Sequence, residues 1–263
     1  MSTTITVETP RSGVRLLTIS RPERKNALDR ATYRALGDAL DAAAVDDDVR
    51  VAVVTGAGGD FTSGNDLADF RDTSETGEPS AGLTWLGRLI AFPKPVIAAV
   101  EGVAVGIGTT MLLHFDLAYA GAGATFRLPF VPLGLCPEGA SSLLLARVAG
   151  AKRARELLMF GSPFGPGEAC EAGLVNAVVG AGEALTAALD HAETLAGLPT
   201  AAMTATKRLM GAASAEEVRA ALTREAEVFH ALRRGPEAQA AFAAFFRRRG
   251  SAEGATASPP SRS

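Results

Sequence analysis

The chain has 263 residues, 47% of them apolar, and a formal net charge of -3 at pH 7. That is enough apolar material for a substantial core, and the charge balance argues against a general nucleic-acid or membrane-surface binder. Two cysteines, Cys136 and Cys170, cannot make a disulfide framework, and His114, His191 and His230 lack metal-ligand spacing, so no metal and a reducing compartment are expected.

The opening MSTTITVETPRSG has no signal-peptide apolar stretch, and every longer apolar run is broken well short of a membrane span, which reads as cytoplasmic. GVRLLTIS (13–20) is a strand. NALDRATYRALGDALDAAA (26–44) predicts a helix with Leu28, Ala35, Leu36, Ala39, Leu40 and Ala43 on one face. VRVAVVTG (49–56) is a buried strand, GAGGDFTSGND (56–66) has loop chemistry, and the polar stretch 71–82 reads as a mobile loop before the helix LTWLGRLIAF. KPVIAAV is the next strand, GVAVGIG (102–108) a glycine-rich turn and TTMLLHF a helix start, followed by two short strands, DLAYAG and ATFRL. The order is strand, strand, helix, repeated.

From Glu138 the pattern turns helical: EGASSLLLARVA, AKRARELLMF and GEACEAGL, then a last short strand, NAVV, and the helix GEALTAALDHAETLAGL up to the break at Pro199. Three further helical stretches begin at Thr200, Ala215 and Pro236, and the last two carry apolar positions on more than one face, so they need a core or another subunit to pack against. Residues 1–195 read as the core, 196–250 as a helical region and 251–263 as a disordered tail. The basic clusters at RPERKNALDR and RRR (from Arg247) read as solvated faces.

Nucleotide chemistry is disfavoured, because GVAVGIGTTM breaks the dinucleotide fingerprint at Met111 and no glycine-rich turn ends in GK followed by Ser or Thr. Ser141 and Ser142 lack a GxSxG setting and a histidine to activate them, so they serve the first helical turn. Two glycine turns remain, TSGND and AVGIG, each between a buried strand and a helix. Spacing alone fits two ordinary turns, or backbone donors converging on an oxyanion.

The segments RPERKNAL, VAVVTGAGGDFTSGNDL, FPKPVIAAVEGVAVGIG, FDLAYAGAGATFRLPFVPLGLCPEG and GEACEAGLV, in that order, resemble the crotonase (enoyl-CoA hydratase/isomerase) superfamily over roughly residues 5–250. The resemblance implies an α/β spiral of strand-strand-helix turns with a C-terminal helical trimerisation region. It also implies a homotrimer or dimer of trimers acting on an acyl-CoA thioester, with no cofactor beyond the CoA of the substrate. By resemblance, the N–H groups of Asn65 and Ile107 form the oxyanion hole, and Lys25, Ala27, Ser63, Gly64, Asp66 and Leu67 contact CoA.

The acids narrow the reaction. Family hydratases hold water between two glutamates, but alignment puts Thr110 and Phe130 at those positions. What the chain offers is Glu138 in LGLCPEGASS, a placement similar to that in the peroxisomal-type Δ3,Δ2-enoyl-CoA isomerases, as are the SGNDL loop and the PF, LG and PEG combination. One acid suffices for isomerisation: Glu138 would take a proton from C2 and return it at C4. Thr110, Phe130 and Leu133 are then the acyl-pocket residues. Apolar neighbours would raise the proton affinity of Glu138 and a helix N-terminus would lower it, with the sign left open. A hydratase using Glu138, and a non-catalytic acyl-CoA binder, are the alternatives. Asp66 and Asp69 read as loop anchors or caps, Glu101 and Asp116 as structural, Trp85 as core or pocket wall, and Lys207 and Arg208 as a solvated pair within reach of CoA phosphates.

Overall fold

The structure is a computed structural model that describes residues 4–69 and 80–256. A six-stranded sheet runs in the order β1 (Ile5–Arg11), β2 (Val14–Ile19), β3 (Val51–Gly56), β4 (Val96–Val100), β6 (Leu117–Gly121), β8 (Ala177–Val179). Only β1 is antiparallel to its neighbour. Both faces are covered, and so β3 and β4 are unbroken apolar runs rather than alternating ones.

One face carries α7 (Ala184–Ala196), which lays Ala184, Ala188, Ala192 and Ala196 on Val14, Val51, Val53, Ile97 and Tyr119. Four alanines at helical spacing leave no side-chain bulk between helix and sheet. On the other face, α1 (Arg30–Val45) and α2 (Ala81–Ala91) bury Leu36, Leu40, Trp85 and Leu89 with Leu17, Ala52, Val54 and Ala98. Trp85 is thereby a core residue, 1% exposed.

The chain leaves this sheet twice in the same manner. β4 passes to β5 (Val103–Val105) and then α3 (Ile107–Thr110), and β6 passes to β7 (Thr125–Arg127), with β5 and β7 paired in parallel as a second sheet. This is the expected strand-strand-helix progression. Helices α4 (Ser141–Val148), α5 (Ala151–Phe160) and α6 (Pro166–Glu171) follow, and α8 (Thr200–Ala212), α9 (Ala215–Arg233) and α10 (Pro236–Thr256) form the C-terminal helical part. None of the described helices is long and apolar enough to cross a membrane.

Some boundaries differ from the sequence reading. The first helix begins at Arg30 rather than Asn26, because Asn26 has φ 54° and is pinned by its side chain, which accepts from Arg21 N–H and donates to the carbonyls of Ala57 and Asp60. Leu28 therefore leaves the helical face and pairs with Asn65 as a β-bridge. β1 was not expected: it is an edge strand whose side chains are mostly exposed, so it shows no apolar alternation. GVAVGIG contains a strand, β5, as well as a turn. Of the stretch 71–82, residues 71–79 lie outside the described residues, and Ser80 caps α2 by accepting from Leu83 N–H. α10 runs on to Thr256, inside the stretch expected as tail, and residues 257–263 lie outside the described residues.

Candidate active site

The two glycine turns abut because Thr62 and Ala104, one in each, form a parallel bridge. Thr62 N–H donates to the Val103 carbonyl and Val105 N–H to the Thr62 carbonyl, at 2.9 and 3.1 Å. Gly64 permits this approach: it has φ 84°, and a Cβ there would lie 2.3 Å from the Val105 oxygen. Asn65 and Ile107 consequently face one cavity of about 1010 Å³. Among the described residues neither of their backbone N–H groups donates to a protein acceptor. Two unspent main-chain donors on one cavity wall are what stabilisation of an oxyanion requires.

Glu138 opens on the same cavity. It stands on a turn that ends in two consecutive left-handed residues, Gly139 (φ 76°) and Ala140 (φ 55°), before α4 begins. The turn is fastened from several sides. His114 Nε2 donates to the Gly139 carbonyl at 2.7 Å, and Ser141 Oγ donates to the Glu138 carbonyl at 2.7 Å. The Glu138 carboxylate accepts from Asn65 Nδ2 at 2.9 Å, and Asn65 Oδ1 accepts from the Tyr33 hydroxyl at 2.6 Å.

Electrostatics resolve the sign that the sequence left open. Burial, with the nearby Glu225 carboxylate, pushes Glu138 up to about 8, against the Asn65 hydrogen bond that pulls it down. The N-terminus of α4 does not compensate Glu138, because Glu225 of α9 occupies it. Glu225 accepts from Ala140 N–H (2.6 Å), Ser142 N–H (2.9 Å) and Ser142 Oγ (2.5 Å).

Most residues singled out in the sequence meet here. Lys25, Ala27, Ser63, Asp66, Leu67, Phe130 and Leu133 all line the cavity. Lys25 holds a left-handed φ of 50°, and its carbonyl accepts from Ser63 N–H. Two residues differ. Gly64 is not among the lining residues, since its backbone is turned against Val105. Thr110 is 1% exposed, packs against Gly139 and does not reach the cavity, so it supports the turn rather than forming a pocket wall.

Several other acids and bases are engaged in contacts of their own. Asp66 pairs with Arg21, Asp69 caps the backbone N–H of Arg30, and Glu101 accepts from Ala184 N–H at the start of α7. Lys207 is spent on Asp116 and the Lys94 carbonyl, away from the cavity. Among the described residues no group of three or more His, Cys, Asp or Glu could hold a metal ion.

Tyr33, Glu225 and the aromatic wall contributed by Phe229, Phe245 and Phe246 were not found from the sequence. For Glu225 a signal exists: Val218, Ala221 and Glu225 recur at helical spacing on the buried face of α9, so an acid stands on an apolar stripe. Tyr33 carries no comparable signal, because an aromatic residue in an amphipathic helix is normally core.

Residues 9–252 match the profile of the family described as Enoyl-CoA hydratase/isomerase. Enoyl-CoA delta isomerase 2 of Homo sapiens is 41% identical over 179 residues, 65% of this chain but 45% of that protein, so the chain spans less than half of that relative's length. The 2,3-dehydroadipyl-CoA hydratase of Escherichia coli is 33% identical over 238 residues, covering 90% of this chain and 93% of the relative. The solved structure of Pseudomonas aeruginosa OdaA superposes with a TM-score of 0.88 at 43% identity, covering 93% of this chain and 99% of that one.

Proposed function

Since the chain belongs to the enoyl-CoA hydratase/isomerase family, we propose that it is an acyl-CoA double-bond isomerase that converts 3-enoyl-CoA to trans-2-enoyl-CoA. The observation that carries this reading is one carboxyl group, Glu138, sharing a cavity with two backbone amides that have no protein acceptor among the described residues. In the first step the ionised Glu138 removes a proton from C2, and the electron pair delocalises into the thioester carbonyl and the adjacent double bond. The N–H groups of Asn65 and Ile107 hold the resulting dienolate oxygen; loss of one such donor costs about 3 kcal/mol in comparable sites. In the second step the protonated Glu138 returns the proton at C4, restoring the carbonyl and leaving the double bond at C2–C3.

The same reading places the CoA portion against Lys25, Ala27, Ser63, Asp66 and Leu67, and the acyl chain toward Phe130, Leu133 and Phe229. It includes a cytoplasmic homotrimer or dimer of trimers. The support is α8, which buries none of its residues and leaves Leu209 and Met210 exposed at 69% and 74%.

Hydration is the second reading, favoured by the E. coli relative named a hydratase. Against it, Thr110 and Phe130 stand where family hydratases carry glutamates, and neither can activate water. The test is a product assay with 3-hexenoyl-CoA in deuterated water. Wild type is expected to form trans-2-hexenoyl-CoA with exchange at C2, and Glu138→Gln to lose at least about a hundredfold in kcat. Undiminished turnover by Glu138→Gln rules the base out. Rapid 3-hydroxyacyl-CoA formation from crotonyl-CoA selects the hydratase, and binding without conversion selects a non-catalytic acyl-CoA binder.

A further inference from the structure

The turn that carries Glu138 is not self-supporting. Ala140 sits in the left-handed region at φ 55° directly after Gly139 at φ 76°. A residue with a Cβ is disfavoured in that conformation. Something outside the turn must compensate, and α9 supplies it. Glu225, 7% exposed, places one carboxylate oxygen on Ala140 N–H and the other on Ser142 N–H and Oγ, so a single side chain spans the strained residue and the first turn of α4. Apolar packing seats the helix there: Val218 and Ala221 of α9 cluster with Ala140, Leu143 and Leu144.

We propose that Glu225 is a positioning residue for the isomerisation: its carboxylate fixes the turn that aims Glu138 into the cavity, and its negative charge keeps Glu138 a strong enough base to abstract a C–H proton. The proposal rests on the reading of Glu138 as the proton shuttle. Both oxygens of Glu225 are occupied by donors, two of them main-chain N–H groups that can only donate, which favours its ionised form. On balance the Glu225 carboxyl is raised, because burial outweighs the hydrogen bonds from Ser142 and Ala140 and the charge of Arg224 that pull it down. The nearby charge in turn adds to the burial that raises Glu138. The cavity is reached by the same helix, because Phe229, one turn beyond Glu225, is a lining residue.

The groups that face Glu138 from its surroundings separate cleanly. Tyr33 of α1 is pushed up by burial, Cys136 of the same loop is pushed up to about 11, and His114 behind Gly139 is held down by burial. Glu23, Arg24, Lys25, Asp66 and Arg127 line the same cavity. Glu225 is the nearby carboxylate whose charge acts on Glu138.

The experiment is steady-state kinetics of wild type and Glu225→Gln on 3-hexenoyl-CoA across pH. The introduced glutamine would set its amide N–H against the N–H of Ala140 or Ser142 and would carry no charge. The expected result is a kcat lowered about tenfold or more, KM within about twofold, and an acid limb of kcat/KM moved to lower pH, because Glu138 then loses its proton more readily. A folded variant with unchanged kcat and an unmoved limb overturns the proposal. If Glu225→Gln does not fold, Ser142→Ala removes one hydrogen bond and keeps the charge. A kcat lowered about two- to fivefold then supports the proposal, and unchanged kcat overturns it. Absence of wild-type turnover sinks the isomerase reading instead. Carboxyl-carbon NMR titration of Glu138 in wild type and Glu225→Gln then decides the role of Glu225: a downward shift in the variant supports it and identical titration overturns it.

Discussion

Asn65, a residue of the cavity lining, donates from Nδ2 to Glu138 Oε1 at 2.9 Å while its own backbone N–H has no protein acceptor among the described residues. On the proposed mechanism one residue would thus orient the base and offer an oxyanion donor, linking the two halves of the chemistry. Tyr33 donates to Oδ1 at 2.6 Å, which favours this orientation of the amide.

The first prediction follows from this chain. Asn65→Ala keeps the backbone donor and loses a hydrogen bond to a carboxylate, worth about 1.5–3 kcal/mol. The expected fall in kcat is about ten- to a hundredfold, and the acid limb of kcat/KM should move to higher pH, since the lost bond favoured the ionised form. Tyr33→Phe frees the amide to flip and should cost about three- to tenfold with the fold retained. Equal activity of both variants with wild type would show that the link is incidental.

A pH profile supplies the second. Glu138 must be ionised to accept a proton, and it is raised to about 8 by burial and Glu225. Activity on 3-enoyl-CoA should therefore climb through the neutral range toward a limb near that value, instead of reaching its plateau by about pH 6. A plateau already complete there contradicts the buried, charge-opposed carboxyl.

Thermal stability gives a third. A carboxyl whose folded value lies above its unfolded one binds more protons in the folded state, so its contribution is fully present below the unfolded value near 4.5 and is lost as pH rises toward about 8. Wild type should be destabilised across that window, by an amount on the order of a few kcal/mol. Glu138→Gln removes the ionisation, so its melting temperature should exceed that of wild type by several degrees at about pH 8 and approach it at about pH 5. Equal differences at both pH values would argue against the raised carboxyl.

Gly64→Ala is the fourth. The substitution places a Cβ 2.3 Å from the Val105 oxygen at a φ of 84°. Backbone strain alone costs about 1–3 kcal/mol, and relief requires moving Asn65 away from Ile107. The variant should melt several degrees lower and lose turnover beyond what its folded fraction accounts for. Differential scanning calorimetry beside kinetics separates the two effects.

A fifth concerns assembly. Light scattering on the purified protein should give three or six copies, and Met210→Glu in the unburied helix α8 should shift the mass toward smaller species. A monomeric wild type would remove the assembly from the functional reading.

Much of this architecture was legible in the chain. Unbroken apolar runs mark β3 and β4 because both faces of the sheet are covered, and the helical spacing of Leu36 and Leu40 marks α1. What escaped had physical reasons. β1 lies on an exposed edge and carries no alternation. Asn26 leaves helical geometry because its side chain replaces the helix's own hydrogen bonds with three to neighbouring loops. In the site, the glycine turns and the carboxyl between Pro137 and Gly139 could be read locally. Glu225 lies 83 residues from Ser142, and Tyr33 lies 32 from Asn65, so these pairings arise only from tertiary packing. Thr110 was placed beside the substrate from its position after the glycine turn, yet the short helix directs it under Gly139.

The aromatic wall of the cavity comes from α9 and α10, which follow every other part of the site in chain order. A chain that stopped before these helices would lack that wall and the Glu225 carboxylate that holds the turn behind Glu138. On the proposed mechanism, reactivity toward a C–H bond would be acquired only once these helices dock and exclude solvent. Competence for the proposed chemistry would then await the last part of the chain to fold.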